Sequence, residues 1–315
     1  MIETWPPPVP SIPPEILQAA KECNLVIFVG AGVSQLMGCP LWPELADAAL
    51  VDLAKKGFIS FGDIRQFTSL DARKRLTIAS QIAESAGGRL EIEKLLQPKK
   101  GNESKVYDYL NGIGCAYVTT NTDPFLDIPR PKAKAATGNA ATDPPEIQPT
   151  KPICWPSQFK ANLLRERGAV IHLHGSGAEP KSMIYTEAQY LEHYVDSRVT
   201  GFLKDMFENH TVLFVGYGLG ETEILEHILR KGGRNGAHMC RRFWLQGFYS
   251  DQQRVFGHLH NHYRNTFGVE IIPYDLDGKE YLQLEKILED WGGRLEIGSP
   301  LLADDLNYVL GAADE

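Results

Sequence analysis

The chain has 315 residues, of which 43% are hydrophobic and 23% are charged, as expected for one large or two small globular domains. Its formal net charge of −8 argues against direct nucleic-acid binding through phosphate neutralisation. No apolar run approaches the ~20 residues of a membrane-spanning helix, and the first residues lack the basic and apolar segments of a signal peptide, so we expect a cytoplasmic protein away from membranes.

The cysteines are widely spaced and include no C-x-x-C pair. This spacing argues against a structural zinc site, and the odd count suits a reducing cytoplasm. The five positions are Cys23, Cys39, Cys115, Cys154 and Cys240.

The first third of the chain is predicted to be an arm, one strand and several helices. The proline-rich residues 1–13 predict an extended arm, and a helix is expected to begin near Pro14. The fully apolar strand LVIFVG (25–30) follows, as expected for a central parallel strand covered on both faces. Residues from about 42 to 112 form amphipathic helical segments that are too long for a simple crossover. They predict a helical insertion packed beside the sheet.

The rest of the chain alternates strands with helices. We expect strands at 116–120, 169–175, 211–216, 241–247 and 269–274, and helices at 187–209, 221–231, 250–266 and 279–291. Residues 128–152, rich in Pro, Ala, Thr and Lys, predict a long exposed loop. The alternation favours an α/β fold with a doubly wound, mostly parallel Rossmann-like sheet.

Four strand ends carry small or polar residues, and the first is FVGAGVS (28–34). Glycines at a strand end allow a pyrophosphate to approach, and free N–H groups there can bind it. Gly30, Ala31, Gly32 and Ser34 are therefore candidate nucleotide-binding residues. The pattern is not a complete G-x-G-x-x-G, and a tight strand-to-helix turn explains it equally well.

The second strand end is VTTNTD (118–123), where polar residues follow a buried strand. Ligands of open α/β sheets bind at the carboxyl ends of strands. Asn121 could hold a ribose hydroxyl or a water, and Asp123 could accept from a hydroxyl or face developing positive charge. The alternative is a turn, because N-T-D-P is good turn chemistry.

The third strand end, IHLHGS (171–176), carries two histidines. In a continued strand His172 and His174 would face the same side. His174, directly before Gly175, is expected at the mouth of the site, where an imidazole can move a proton near neutral pH. We interpret His172 as a hydrogen-bonded structural histidine. A metal bound by both would need a third ligand that the pattern does not supply.

The fourth strand end, LFVGYGLGE (213–221), is again glycine-rich. Gly216, Tyr217 and Gly218 suit contact with the far half of a dinucleotide. The alternative is a strand–loop–helix joint with Glu221 near the start of a helix.

In this order the four motifs resemble the NAD-binding core of sirtuins, from about Ile16 to Tyr274. The segments MIYTEAQY (183–190) and IIPYDLDG (271–278) are similar to SIR2-like proteins of bacterial antiviral systems. The resemblance implies one SIR2-like domain over residues 1–315 with NAD as its substrate. It places Gly30, Ala31, Gly32 and Ser34 at the phosphates and adjoining ribose, and Gly216, Tyr217 and Gly218 near the adenosine. Asn121 and Asp123 would flank the nicotinamide ribose, and His174 would be the catalytic histidine. Thr120 and Gly175 are further candidate NAD-binding residues.

Sirtuin deacylases carry a four-cysteine zinc module that this chain lacks, because residues 175–216 contain no cysteine. No zinc is therefore expected, and protein deacylation is disfavoured. What the resemblance implies instead is an NAD+ glycohydrolase that yields ADP-ribose and nicotinamide as an antiviral effector. An NAD-dependent deacylase and a non-catalytic NAD or ADP-ribose sensor that scaffolds an assembly are the alternatives. VGYGLG also departs from sirtuins, which usually have Ser or Thr after the first glycine.

An NADase that is always active would kill its host, so the resemblance also implies regulation. We expect control through a homo-oligomer or through a separate ATPase or sensor chain, such as a HerA-type ATPase. Only about 40 residues follow Tyr274, which leaves little room for a sensor domain within this chain.

Overall fold

A computed structural model describes residues 5–98, 104–127, 151–221, 224–226 and 242–295. The exposed loop expected at 128–152 lies outside the described residues except for its last two positions. Most of the helix expected at 221–231 lies outside them as well, with only 224–226 described as helical.

In the described part of the chain, six parallel strands form one sheet in the spatial order β3-β2-β1-β4-β5-β6. They are β1 (Leu25–Val29), β2 (Ala116–Thr119), β3 (Val170–His172), β4 (Thr211–Val215), β5 (Arg242–Phe248) and β6 (Val269–Asp275). This order is that of a doubly wound dinucleotide-binding sheet. From the centre of the sheet, β1 to β3 follow one another towards one edge and β4 to β6 towards the other, so the strand order reverses between β1 and β4. The predicted Rossmann-like α/β class and all six predicted strands are therefore confirmed. The third strand is shorter than expected, because it ends at His172.

Helices flank the sheet and form a cluster beside it. Among the described residues they are α1 (Pro14–Lys21), α2 (Ala31–Leu36), α3 (Trp42–Lys55), α4 (Phe61–Phe67), α5 (Ala72–Ser85), α6 (Ile92–Leu95), α7 (Val106–Ile113), α8 (Glu187–Val195), α9 (Ser197–Asn209), α10 (Gln253–Phe267) and α11 (Gln283–Leu295). None of them is long and apolar enough to cross a membrane.

The sheet is buried on both faces, which explains why its central strands are continuous apolar runs. Leu25, Ile27 and Val29 of β1 pack into one core with α1, α7 and α11. Val26 and Phe28 point the other way, into a second core with α9. Because successive side chains of a strand alternate between faces, a strand buried on both faces must be apolar at every position.

The helical insertion has its own core. The helices α3 and α5 contribute Leu50 and Leu76, and Met183 from the segment after β3 joins them. The last helix of the predicted insertion behaves differently. Tyr107 of α7 lies in the sheet core with Trp291 of α11, so α7 belongs to the layer on the sheet.

The single helix expected at 187–209 is two helices, α8 and α9. The Asp196 carboxylate accepts a hydrogen bond from the backbone N–H of Arg198 at 2.8 Å and caps the start of α9. An aspartate at this position favours a new helix start over continuation of the preceding helix.

Candidate active site

The polar strand ends meet at one edge of the sheet. β1 and β4 are neighbours, β2 lies on the other side of β1, and β3 lies beyond β2. In an open α/β sheet the crevice outside the strand ends at this reversal point is where ligands bind. The fold therefore brings Ser34, Asn121 and Gly216 to one place although they lie far apart in sequence.

Ser34 is the centre of a buried hydrogen-bond cluster. The Asn121 side chain donates from Nδ2 to Ser34 Oγ at 2.8 Å and to the Gly30 carbonyl at 2.9 Å. Ser34 Oγ donates to Asp123 Oδ2 at 2.6 Å. Both hydrogens of the amide are thus used, and the Asn121 Oδ1 atom remains to accept from a water or a ribose hydroxyl.

Tyr107 of α7 completes this cluster, with its hydroxyl 2.9 Å from Ser34 Oγ. Because the hydroxyl proton of Ser34 is directed at Asp123, the Tyr107 hydroxyl is the donor to Ser34. Burial and the negative charge of Asp123 raise the pKa of Tyr107 well above its usual value, so Tyr107 remains a donor at neutral pH. Burial raises the pKa of Asp123, and the hydrogen bond from Ser34 opposes that rise.

A small cavity lies over this cluster. Its wall includes the predicted residues Ala31, Ser34, Thr120, Asn121 and Asp123, and its apolar side comes largely from the insertion, with Trp42, Leu45 and Ile92. The cavity has a volume of about 40 Å³. Since one water needs roughly 10–15 Å³ on this measure, the cavity holds roughly three waters and not a dinucleotide.

The glycines of the first and fourth strand ends pack against each other. The Gly30 and Gly32 N–H groups donate to the carbonyls of Val215 and Gly216, at 2.9 and 2.8 Å. The expectation that these N–H groups are free for a pyrophosphate is therefore wrong. A Cβ on Gly30 would lie 2.5 Å from Tyr217 Cα. Glycine is required here because two strand ends approach each other closely.

The remaining predicted glycine-rich positions have different surroundings. Gly175 has a φ of +79°, and a Cβ there would overlap the Ser182 carbonyl, so only glycine fits that turn. Tyr217 is 6% exposed, and its ring stacks on Phe214 and packs at a tilt against Phe28. A Cβ on Gly218 would meet open space. Of the three predicted adenosine-side residues, Tyr217 is thus a core residue.

His172 supports the backbone of Asn121, as its structural interpretation predicts. Its Nδ1 donates to the Asn121 carbonyl at 2.8 Å, and its Nε2 lies 2.9 Å from Asp127 Oδ1. Burial alone would lower the pKa of His172, but the Asp127 carboxylate and the Asn121 carbonyl raise it above 6.5. The Asp127 carboxylate therefore favours the protonated form of this buried imidazole.

His174 does not share these surroundings. Because β3 ends at His172, the two histidines do not lie on one continued strand, so the strand geometry behind the same-side expectation does not extend to His174. His174 Nε2 lies 2.8 Å from the Tyr194 hydroxyl and Nδ1 lies 3.2 Å from that of Tyr190. The side chain is fully buried, so it is not at the mouth of the site as expected.

The pKa of His174 lies well below its usual value. Burial is the main cause, and repulsion from the Arg73 guanidinium, and from His193 when that ring is protonated, adds to it. His174 is therefore neutral at physiological pH and can accept a proton. Glu221 Oε2 lies 3.7 Å from its Nε2, close enough to stabilise the imidazolium once a proton has been taken.

Residues 116–269 match the family model described as the SIR2-like domain. The match begins at β2 and ends at the first residue of β6, and includes Asn121, His174 and Gly216. This chain contains a SIR2-like domain. Domains of this family bind NAD as a substrate.

The similarity to a longer relative covers more of the chain than the family model does. The chain is 24% identical over 299 residues to "Defense-associated sirtuin 2" from Bacillus subtilis. The match covers 86% of this chain and 25% of the relative. The SIR2-like chain therefore spans about a quarter of that relative's length.

Several residues around the site were not assigned a role from the sequence of the SIR2-like chain. Tyr107 is one apolar-face residue among others on its helix, so no pattern distinguishes it. Asp127 directly precedes the proline-rich segment and carries no motif. Tyr190 ends the quoted segment MIYTEAQY, which is the one signal that could have directed attention to it.

The described part of the SIR2-like chain contains no group of three or more His, Cys, Asp or Glu side chains able to hold a metal ion. The polar cluster at Ser34 suits hydrogen bonding to hydroxyl groups. That the protein needs no zinc remains a prediction.

Proposed function

We propose that this SIR2-like chain hydrolyses NAD at the nicotinamide–ribose bond and releases ADP-ribose and nicotinamide. The observation that supports this most is the meeting of Ser34, Asn121 and Asp123 on one cavity wall at the reversal point of the sheet. A carboxylate and an oriented amide oxygen suit a reaction in which positive charge develops on a sugar and a water must be placed.

The departure of nicotinamide does not require a general acid. Nicotinamide is cationic while bound to ribose and leaves as a neutral molecule, so the protein needs to stabilise the sugar cation and position the nucleophile. In our proposal Asp123 faces the developing cation, and Asn121 Oδ1 accepts from a ribose hydroxyl or the attacking water. Neutral His174 takes up the proton that this step releases.

NAD binding must widen the site. The cavity over Ser34 has space for roughly three waters, whereas a second, open cleft beside it has a volume of about 420 Å³. Trp42, at the start of α3, lines both spaces. We propose that α3 and its Trp42 move outward when the dinucleotide binds, which joins the two spaces.

The biological role that we propose is that of an antiviral effector, since the matched relative carries the name "Defense-associated sirtuin 2". Because NAD loss is lethal, activity would be controlled by self-assembly of the chain or by a separate ATPase or sensor protein. These partners are proposals that rest on the resemblance.

The direct test incubates the purified chain with NAD, alone and with the product of the neighbouring gene, and follows nicotinamide by chromatography. We expect nicotinamide and ADP-ribose in equal amounts, and Asn121→Ala to lower the rate at least ~100-fold, the scale of a positioned catalytic group. Asn265→Ala, on the exposed face of α10, is the matched control and should keep the parent rate.

Two results would contradict the proposal. Tight NAD binding without nicotinamide release under either condition would favour the sensor. Formation of O-acyl-ADP-ribose with an acylated peptide, detected by mass spectrometry, would favour the deacylase.

A further inference from the structure

Among the described residues, His174 is enclosed by other side chains at the site. Its side chain is fully buried, and it lines neither the cavity over Ser34 nor the open cleft. Both of its ring nitrogens are within hydrogen-bond distance of a tyrosine hydroxyl, Nε2 with Tyr194 and Nδ1 with Tyr190. A proton that moves from the substrate to His174 must therefore pass through one of these tyrosines, unless His174 first breaks its hydrogen bond with one of them.

The charge around the ring selects its tautomer. A neutral imidazole has one N–H donor and one acceptor nitrogen. Glu221 Oε2 lies 3.7 Å from Nε2, and a carboxylate favours the N–H on the side that it faces. This geometry favours the tautomer in which Nε2 carries the hydrogen and donates to Tyr194, while Nδ1 accepts from the Tyr190 hydroxyl.

Tyr190 connects His174 with the open cleft. It lines that cleft together with Trp42, Arg73 and Glu221. The Arg73 guanidinium carbon lies 3.7 Å from the centre of the Tyr190 ring. A cation stacked on the ring holds it in place and stabilises partial negative charge that develops on the phenol oxygen during proton transfer.

We propose that Tyr190 relays the proton between a substrate hydroxyl in the cleft and His174, and that Tyr194 fixes the accepting tautomer. The O–H bond of the ribose hydroxyl or attacking water breaks as its proton passes to Tyr190 Oη. The proton of Tyr190 passes at the same time to His174 Nδ1. The tyrosine ends as it began, and the imidazolium is stabilised by Glu221.

The electrostatics of the ring agree with this direction of transfer. The pKa of His174 lies well below 6.5 because of burial, so the ring is neutral and able to accept at neutral pH. The relay rests on the proposed NAD hydrolysis for its substrate, but the tautomer on which it depends is a property of the free protein.

The first experiment measures that tautomer without any reaction. The full chain is labelled with 15N-histidine, and long-range 1H–15N spectra at pH 7 are compared with those of His174→Gln to assign the ring. We expect the Nε2–H form for His174. The Nδ1–H form would overturn the relay, because Nδ1 would then donate to Tyr190 and could not accept a proton.

The second experiment compares Tyr190→Phe with Tyr263→Phe, a control that loses a hydroxyl on α10, away from the cleft. Nicotinamide release by Tyr190→Phe should show a kcat about 100-fold lower with KM nearly unchanged, and the control should match the parent. A Tyr190→Phe rate equal to or above that of the parent would overturn the relay, and a higher rate would identify Tyr190 as a barrier.

The kinetic pH profile separates a relay from a purely structural role. Tyr194→Phe should shift the pH dependence of kcat, since the tautomer of His174 is no longer held, and an unshifted profile would contradict the role of Tyr194. If the parent releases no nicotinamide, the proposed hydrolysis fails, whereas the tautomer still supports or overturns the relay.

Discussion

His172 and His174 are separated by one residue and are both fully buried, yet their surroundings move their pKa values in opposite directions. His172 faces the Asp127 carboxylate and the Asn121 carbonyl, two acceptors that favour a protonated ring. His174 faces two tyrosine hydroxyls and lies near the Arg73 guanidinium. Burial alone therefore does not assign a role to a histidine; the neighbouring groups do.

The largest effect that tests this contrast is on stability. In His172→Ala the Asp127 carboxylate remains buried without its imidazole, and the Asn121 carbonyl loses its donor. Breaking a buried charge pair in this way costs about 3–5 kcal/mol. Urea titrations followed by circular dichroism should show this loss of unfolding free energy. A loss no greater than that of an exposed substitution such as His258→Ala would show that His172 does not support the site.

The corresponding change at His174 should act mainly on the rate. His174→Ala removes the proton acceptor and should lower nicotinamide release at least ~100-fold, equivalent to about 2.7 kcal/mol in the barrier. Its unfolding free energy should fall less than that of His172→Ala, because the partners left behind are neutral hydroxyls that can reorient. If purified, folded His174→Ala hydrolyses NAD at the parent rate, the assignment of His174 is wrong.

The smallest expected effect is on the pH dependence of stability. The two histidines should change the unfolding free energy in opposite directions as the pH rises. The pKa of His174 lies well below 6.5, and burial lowers the pKa of the neighbouring His193 to about 4. The unfolded chain then binds more protons, so unfolding free energy should fall as pH decreases below 6.5, by about 1.4 kcal/mol per unit for each group. His174→Ala should make this slope shallower.

The sign at His172 is reversed. Its raised pKa contributes stability that is fully present below pH 6.5 and is lost as the pH rises through its folded-state value. His172→Ala should therefore keep the parent slope below pH 6.5 and lack the loss above it. Denaturant titrations between pH 5 and 8 measure both slopes, and equal slopes for the two variants throughout would contradict opposite shifts.

The same contrast shows what could be predicted about the site. The positions of Asn121, Asp123 and His174 at strand ends followed from apolar runs that stop at polar residues. The role of the glycines could not be predicted in the same way. The N–H groups of Gly30 and Gly32 donate to the carbonyls at the end of β4 and hold the two strand ends together. A glycine that allows a ligand to approach and one that allows another strand end to approach produce the same local pattern.

The amino-acid sequence by itself determined the six strands and the α/β class, because strands buried on both faces must be continuous apolar runs and glycines and polar residues mark their ends. It also determined which segments carry polar groups to one edge of the sheet. The tertiary structure alone decided the partners of those groups. Asp127 faces His172, Tyr107 faces Ser34 and Tyr190 faces His174, and these neighbours come from other segments of the chain. Such contacts depend on how helices pack over the strand ends, which no local spacing encodes. They decide that the pKa of His172 is raised and that of His174 is lowered.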